Sequence, residues 1–189
     1  MTSVFYLFRD APHRRAALGL EPGSPARYAL YGMDELAERG HTVRHNLERP
    51  EPAAWARVTG AALKRGLEAA GGYGGDFAGV LSSQRELNRA DVVLSTVDTV
   101  GIPLMLLARA RVVRRPFVYA AIGLPERLVQ LRSARLQRLY ARALGAATSV
   151  LAYSEHETDV LRQWLGERGV DARVEFEGRA CWVHADRTR

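Results

Sequence analysis

The feature that most constrains this chain is a recurrence of short, uninterrupted apolar runs between longer segments of helical spacing. Val4-Phe5-Tyr6-Leu7-Phe8 is apolar at every position, and Val92-Val93-Leu94, Phe117-Val118-Tyr119 and Val150-Leu151-Ala152 repeat the pattern. A strand that is apolar at consecutive positions buries both of its faces, as strands do inside a parallel sheet covered by helices.

The intervening segments supply those helices. After a loop from Arg9 to Gly23, Ser24-Pro25 predicts a helix start, Ala29, Met33, Leu36 and Ala37 a buried face, and Gly40 its end. Thr42–Leu47 reads as a second strand. Pro50 and Pro52 introduce a helix through Trp55, Val58 and Ala62 to about Ala69. Gly71-Gly72-Tyr73-Gly74-Gly75 is a flexible break, after which Asp76 caps a helix to about Ala90. Strands over Asp91–Thr96 and Pro116–Ala121 bracket a helix at Ile102–Arg109 with Pro103 in its first turn. Helices over Pro125–Leu131 and Ala134–Leu144, a strand at Ser149–Ala152, a helix to Arg168 capped by Ser154 and Glu157, and a strand at Arg173–Phe176 complete the order. The pattern predicts an α/β fold over residues 1–176: a doubly wound, mostly parallel sheet with helices on both faces. Residues 177–189 read as an irregular tail.

Composition agrees with one globular domain. The chain has 189 residues, 47% of them hydrophobic and 25% charged. Cys181 is the only cysteine, which excludes a disulfide within the chain and a cysteine-rich zinc site. His41 and His45 lie four apart on a strand without neighbouring carboxylates, so no metal is expected there. No run of about 18 apolar residues occurs. The start lacks a basic segment and a cleavage site, and the expectation is a cytoplasmic protein.

Charge is unevenly placed. Between Arg109 and Arg142 stand nine arginines and one acid, Glu126, a local charge of +8 that leaves −2 for the remainder of a net +6 chain. Such a sector suits a localised anionic partner rather than nucleic acid, since Tyr140 is the only stacking aromatic in the basic helices. Arg127, Arg132, Arg135, Arg138 and Arg142 are the candidate surface for an anionic membrane, with a solvated arginine face as the alternative.

Parallel sheets bind ligands outside the carboxyl ends of their strands. That rule selects the Gly23-Ser24 loop with Arg27, then Asp98 and Thr99, Gly123 and Glu126, and Ser154 and Glu155. A glycine before a helix N-terminus admits a phosphate or sugar hydroxyl, although neither a dinucleotide nor a Walker fingerprint is present. Asp98 is either a hydroxyl-orienting or basic group or the cap of the helix at Ile102. Ser154 is better explained as a cap than as a nucleophile.

Four segments carry a family resemblance: Leu36-Ala37-Glu38-Arg39-Gly40-His41-Thr42-Val43, Ala90-Asp91-Val92-Val93-Leu94-Ser95, Gly123-Leu124-Pro125-Glu126-Arg127-Leu128 and Ala152-Tyr153-Ser154-Glu155. Their order and spacing over residues 1–176 resemble the N-terminal half of a GT-B glycosyltransferase, near the family-4 retaining enzymes. The resemblance implies transfer of a sugar from a nucleotide-diphosphate sugar to an acceptor, with no covalently bound cofactor. It implies that this half shapes the acceptor side, with Gly23 and Ser24 near donor phosphate and acceptor, and Asp98, Thr99 and Gly123 along the cleft. It also implies a basic, membrane-facing surface at the inner face. Ile122 stands where many relatives carry a histidine. Glu177-Gly178-Arg179-Ala180-Cys181-Trp182 departs from the usual linker to a donor-binding domain. The reading is therefore an acceptor-side half that is inactive alone and needs a separately encoded donor half. The alternative is a non-catalytic flavodoxin-like module for a phosphorylated ligand or a protein partner.

Overall fold

The computed structural model describes residues 1–49 and 51–176, so the tail at 177–189 lies outside the described residues. Six strands, β1 (Ser3–Leu7), β2 (Thr42–His45), β3 (Val92–Thr96), β4 (Phe117–Ala120), β5 (Ser149–Ala152) and β6 (Val174–Phe176), form one sheet. Every neighbouring pair is parallel, and the spatial order is β2-β1-β3-β4-β5-β6. The order reverses between β1 and β3, so the connections leave the carboxyl ends of those strands in opposite directions and open a crevice there. This is the Rossmann-like, doubly wound α/β fold.

The alternation along β1 shows why both faces must be covered. Phe5 and Leu7 belong to one buried cluster, and Val4, Tyr6 and Phe8 to another. The first cluster is capped by α3 (Ala54–Ala69), α4 (Phe77–Ser82), α6 (Asp98–Arg109), α7 (Leu124–Val129), α8 (Ala134–Leu144) and α9 (Glu155–Gly166). The second is covered by α1 (Pro12–Leu18), a 3-10 turn at Pro25–Leu30 and α2 (Met33–Glu38). The remaining short helix is α5 (Gln84–Leu87).

Four local expectations are corrected. The Arg9–Gly23 segment contains α1, because Pro12 is tolerated in a first turn and Ala17 and Arg14 find buried positions. Arg14 lies between the rings of Phe8 and Tyr31. The helix expected from Ser24 to Gly40 is broken at Tyr31 and Gly32, both left-handed, and Tyr31 hands its carbonyl to the Tyr6 hydroxyl. The helix expected from Asp76 to Ala90 stops at Ser82, though Asp76 does cap it by accepting from the Gly79 N–H.

The helix after β3 begins at Asp98, four residues earlier than expected, so Pro103 sits in its interior. A proline there has no N–H for the carbonyl four residues back. The Asp76 N–H takes that carbonyl instead, at 2.7 Å from the Thr99 oxygen, which stitches the glycine segment to α6.

Helix α3 packs through its small residues. Trp55 and Val58 are 54% and 71% exposed, while Ala56 and Gly60 are buried. A Cβ on Gly60 would stand 2.6 Å from the Ala78 nitrogen, so close approach to α4 requires the small residue.

Candidate functional site

The carboxyl edge of β3 and β4 holds an interconnected group of polar side chains. It starts from a backbone constraint. Val97 has φ 65 and ψ 153, a conformation that a β-branched residue adopts only when its surroundings impose it. Its N–H is held by the Ala120 carbonyl, and its own carbonyl accepts from Val100 and Gly101. This turn drops Asp98 beneath the strand ends.

Asp98 is 2% exposed. One carboxylate oxygen accepts the Tyr119 hydroxyl at 2.6 Å and the other accepts Arg127 Nε at 2.6 Å. Burial pushes the Asp98 carboxyl above its ordinary value, against the opposing pull of Tyr119 and Arg127. The Tyr119 phenol is pushed well above its usual value by burial and by the neighbouring Asp98 charge, so it remains a hydrogen donor. The Arg127 guanidinium lies over the Tyr73 ring, 4.0 Å from its centre.

Tyr73 ties this group to three elements. Its hydroxyl stands 3.2 Å from Thr99 Oγ1, its N–H donates to the Tyr140 hydroxyl at 3.0 Å, and its ring carries Arg127. Tyr73 and Thr99 also line an open pocket of about 430 Å³ between α3, the glycine segment and the start of α6. Arg57, Lys64 and Glu68 project from α3 into its wall, and Gly60, Ala61, Gly75 and Ala78 leave it room. Lys64 and Glu68 are 4.0 Å apart and half-exposed, a loose pair in high dielectric. The pocket thus offers hydroxyls, cationic donors and carboxylate acceptors together, the mixture that hydrogen-bonds a polyhydroxylated ligand.

The sites expected from the sequence fare differently. Thr99 lines the pocket. Gly123 is left-handed at the β4–α7 turn, with Glu126 exposed in the helix behind it. Ser154 accepts the Glu157 N–H as the cap of α9, and Glu155 is exposed in the first turn.

Asp98 is not the cap that one reading made it: Val97 holds that place, and the Asp98 carboxylate is spent on Tyr119 and Arg127. The Gly23-Ser24 loop is exposed and left-handed at Gly23, but only a six-residue 3-10 turn stands behind it, and Ser24 makes no side-chain cap. Arg27 fastens this loop, binding Asp34 through two nitrogens and the carbonyls of Ala17, Leu18 and Leu20 through the third.

Arg127 leaves the basic surface group for the same reason, its guanidinium being turned inward onto Asp98. Arg132, Arg135, Arg138 and Arg142 are exposed and have no ion pair among the described residues. No group of three metal-ligating side chains occurs among the described residues, and no described helix is long and apolar enough to cross a membrane.

Sequence reasoning missed Lys64, Arg57, Tyr73 and Tyr119. The available signal was the single aromatic within Gly71–Gly75: five residues of pure spacer do not need a tyrosine in the middle.

No family model matches the sequence, and no curated protein matches it.

Proposed function

We propose that residues 1–176 form the acceptor side of a retaining glycosyltransferase, with the nucleotide-diphosphate sugar held mainly by a second Rossmann-like domain. The observation that carries the reading is the Tyr73–Thr99 pocket at the carboxyl edge of β3. It is lined by paired hydroxyls and by both donors and acceptors from α3. Sugar hydroxyls are recognised by such mixed sets, and the edge of a doubly wound sheet is where they are met. The resemblance of four sequence segments to the acceptor-side half of these enzymes points the same way.

On this reading the pocket orients an acceptor hydroxyl and the second domain stabilises the leaving diphosphate. Transfer needs preorganised positive groups at that leaving group. The reaction is therefore expected only when both halves are present. On the same reading the exposed arginines of α8 and the preceding turn make a peripheral contact with the anionic inner face of a membrane.

The test is a transfer assay with mixed nucleotide sugars and acceptors, run with the chain alone and with a candidate donor half. Transfer that needs both, and that falls at least tenfold in Thr99→Val and Tyr73→Phe, supports the reading. Efficient transfer by the chain alone would contradict the division of labour. Unchanged transfer in both variants would remove the pocket from the site.

A further inference from the structure

Arg127 combines two properties that Arg27 and the arginines of α8 have singly. Arg27 is rigidly oriented, but all three of its guanidinium nitrogens are spent on Asp34 and on backbone carbonyls. Arg135, Arg138 and Arg142 are unspent, but nothing on α8 fixes their direction. Arg127 is oriented twice over, by the 2.6 Å bond from Nε to Asp98 and by the face of Tyr73. Its two terminal nitrogens have no hydrogen-bond partner among the described residues, and neither is buried. The side chain is 36% exposed.

The cost of this arrangement argues for a use. Burying Asp98 desolvates a carboxylate, and a hydrophobic pair of similar volume is often as stable. Here the carboxylate, the strained Val97 and Gly101 combine to hold one guanidinium fork at the carboxyl edge. A fork with free terminal nitrogens matches the oxygens of a phosphoryl group by charge-assisted hydrogen bonds. The pocket that shares Tyr73 with Arg127 carries Arg57 and Lys64 on its α3 wall, with Glu68 and Asp76 as its carboxylates.

We propose that Arg127 binds a phosphoryl group on a ligand whose polyhydroxylated part occupies the pocket beside Tyr73 and Thr99. The proposal rests on the acceptor-pocket reading and adds to it that the ligand is anionic. The phosphoryl group belongs either to an acceptor sugar phosphate or to the donor diphosphate, and the probes below separate the two.

The experiment is calorimetric titration of the full chain with glucose 6-phosphate, glucose and uridine diphosphate. Glucose 6-phosphate is expected to bind about tenfold or more tightly than glucose, a difference of roughly 1.4 kcal/mol or more. That ratio should fall to about one in Arg127→Lys, which keeps a cation beside Asp98 but loses the fork. It should fall likewise in the double variant Asp98→Asn with Arg127→Gln, which leaves no buried charge unpaired. Tighter binding of uridine diphosphate than of glucose 6-phosphate, equally sensitive to both variants, keeps the site and assigns it to the donor.

Equal affinity for glucose and its phosphate without variant-sensitive binding of uridine diphosphate, no binding of any phosphate probe, or a preference that survives both variants overturns the proposal. Glucose binding without a phosphate preference would do so while leaving the acceptor pocket intact. Arg127-dependent phosphate binding in a protein that transfers no sugar would uphold this site and remove the transferase reading.

Discussion

Tyr119 reaches Asp98 at 2.6 Å only because residue 101 has no side chain. The ring crosses the space that a Cβ at that position would fill, so strand β4 and helix α6 are joined through a glycine at the fourth residue of the helix. Helix propensity alone favours Ala at 101 by about 1 kcal/mol. The overlap opposes it by about 1–3 kcal/mol, and the lost bond to a charged acceptor by about 1.5–3 kcal/mol. Gly101→Ala is therefore expected to lower unfolding free energy by roughly 1.5–5 kcal/mol in urea titration. A stabilised variant would show that the Tyr119–Asp98 bond contributes nothing.

The ion pair predicts a coupled response. Arg127→Ala leaves Asp98 buried without its cation and is expected to cost about 3 kcal/mol, at the low end for buried pairs because Arg127 is partly exposed. Asp98→Asn in the same chain should recover much of that loss. A double-mutant cycle on the two positions should return a coupling of about 1 kcal/mol or more, whereas strict additivity would show that the pair is not formed.

His45 supplies a pH dependence. It ends the edge strand β2 beside Tyr6 in register, and its Nδ1 is buried without a partner. Burial lowers its pKa from the ordinary 6.5, and Glu48 opposes this only partly. Below 6.5 the unfolded chain takes up a proton that the folded chain refuses, so stability present above 6.5 is lost as pH falls toward the depressed folded value. Below that value the loss is complete and levels off. His45→Gln should flatten the stability profile between about pH 7 and pH 5 relative to the parent. Parallel profiles would place the acid sensitivity elsewhere.

The exposed arginines predict salt-sensitive attachment to anionic vesicles. Helix α8 carries Arg135, Arg138 and Arg142 and no acid, and beside the preceding turn Val129 is 76% exposed. Each basic residue near such a surface contributes about 1 kcal/mol. Changing the three to Glu should reduce vesicle partitioning by roughly a hundredfold or more at low salt. Unfolding free energy should move by no more than about 0.5 kcal/mol. Partitioning that ignores both salt and these changes would mean that the arginines are simply solvated.

The glycine at 60 predicts a local effect. A side chain there meets the backbone of Ala78, which cannot swing aside as a side-chain tip can. Gly60→Val is expected to pry α3 from α4, raising amide exchange along α3 by at least tenfold while β3 and β4 stay protected. Uniform protection throughout would show that α3 can shift without loss.

What the sequence by itself determined is the alternation of elements. Runs such as Val4–Phe8 are apolar at every position, and only a strand covered on both faces uses that pattern, so the parallel sheet and the order of its covering helices were legible from local chemistry. Capping was legible for the same reason: Ser154 and Asp76 act on N–H groups three residues away. The directions of Trp55 and Arg127 were not. Hydrophobic spacing along α3 left the direction of Trp55 open, and the close approach of two backbones at Gly60 and Ala78 turned the small face of α3 inward. Charge counting placed Arg127 on the surface with its neighbours, but Asp98, twenty-nine residues earlier, took it in. A pairing between distant residues depends on the distance and dielectric between them, and the tertiary structure alone sets both.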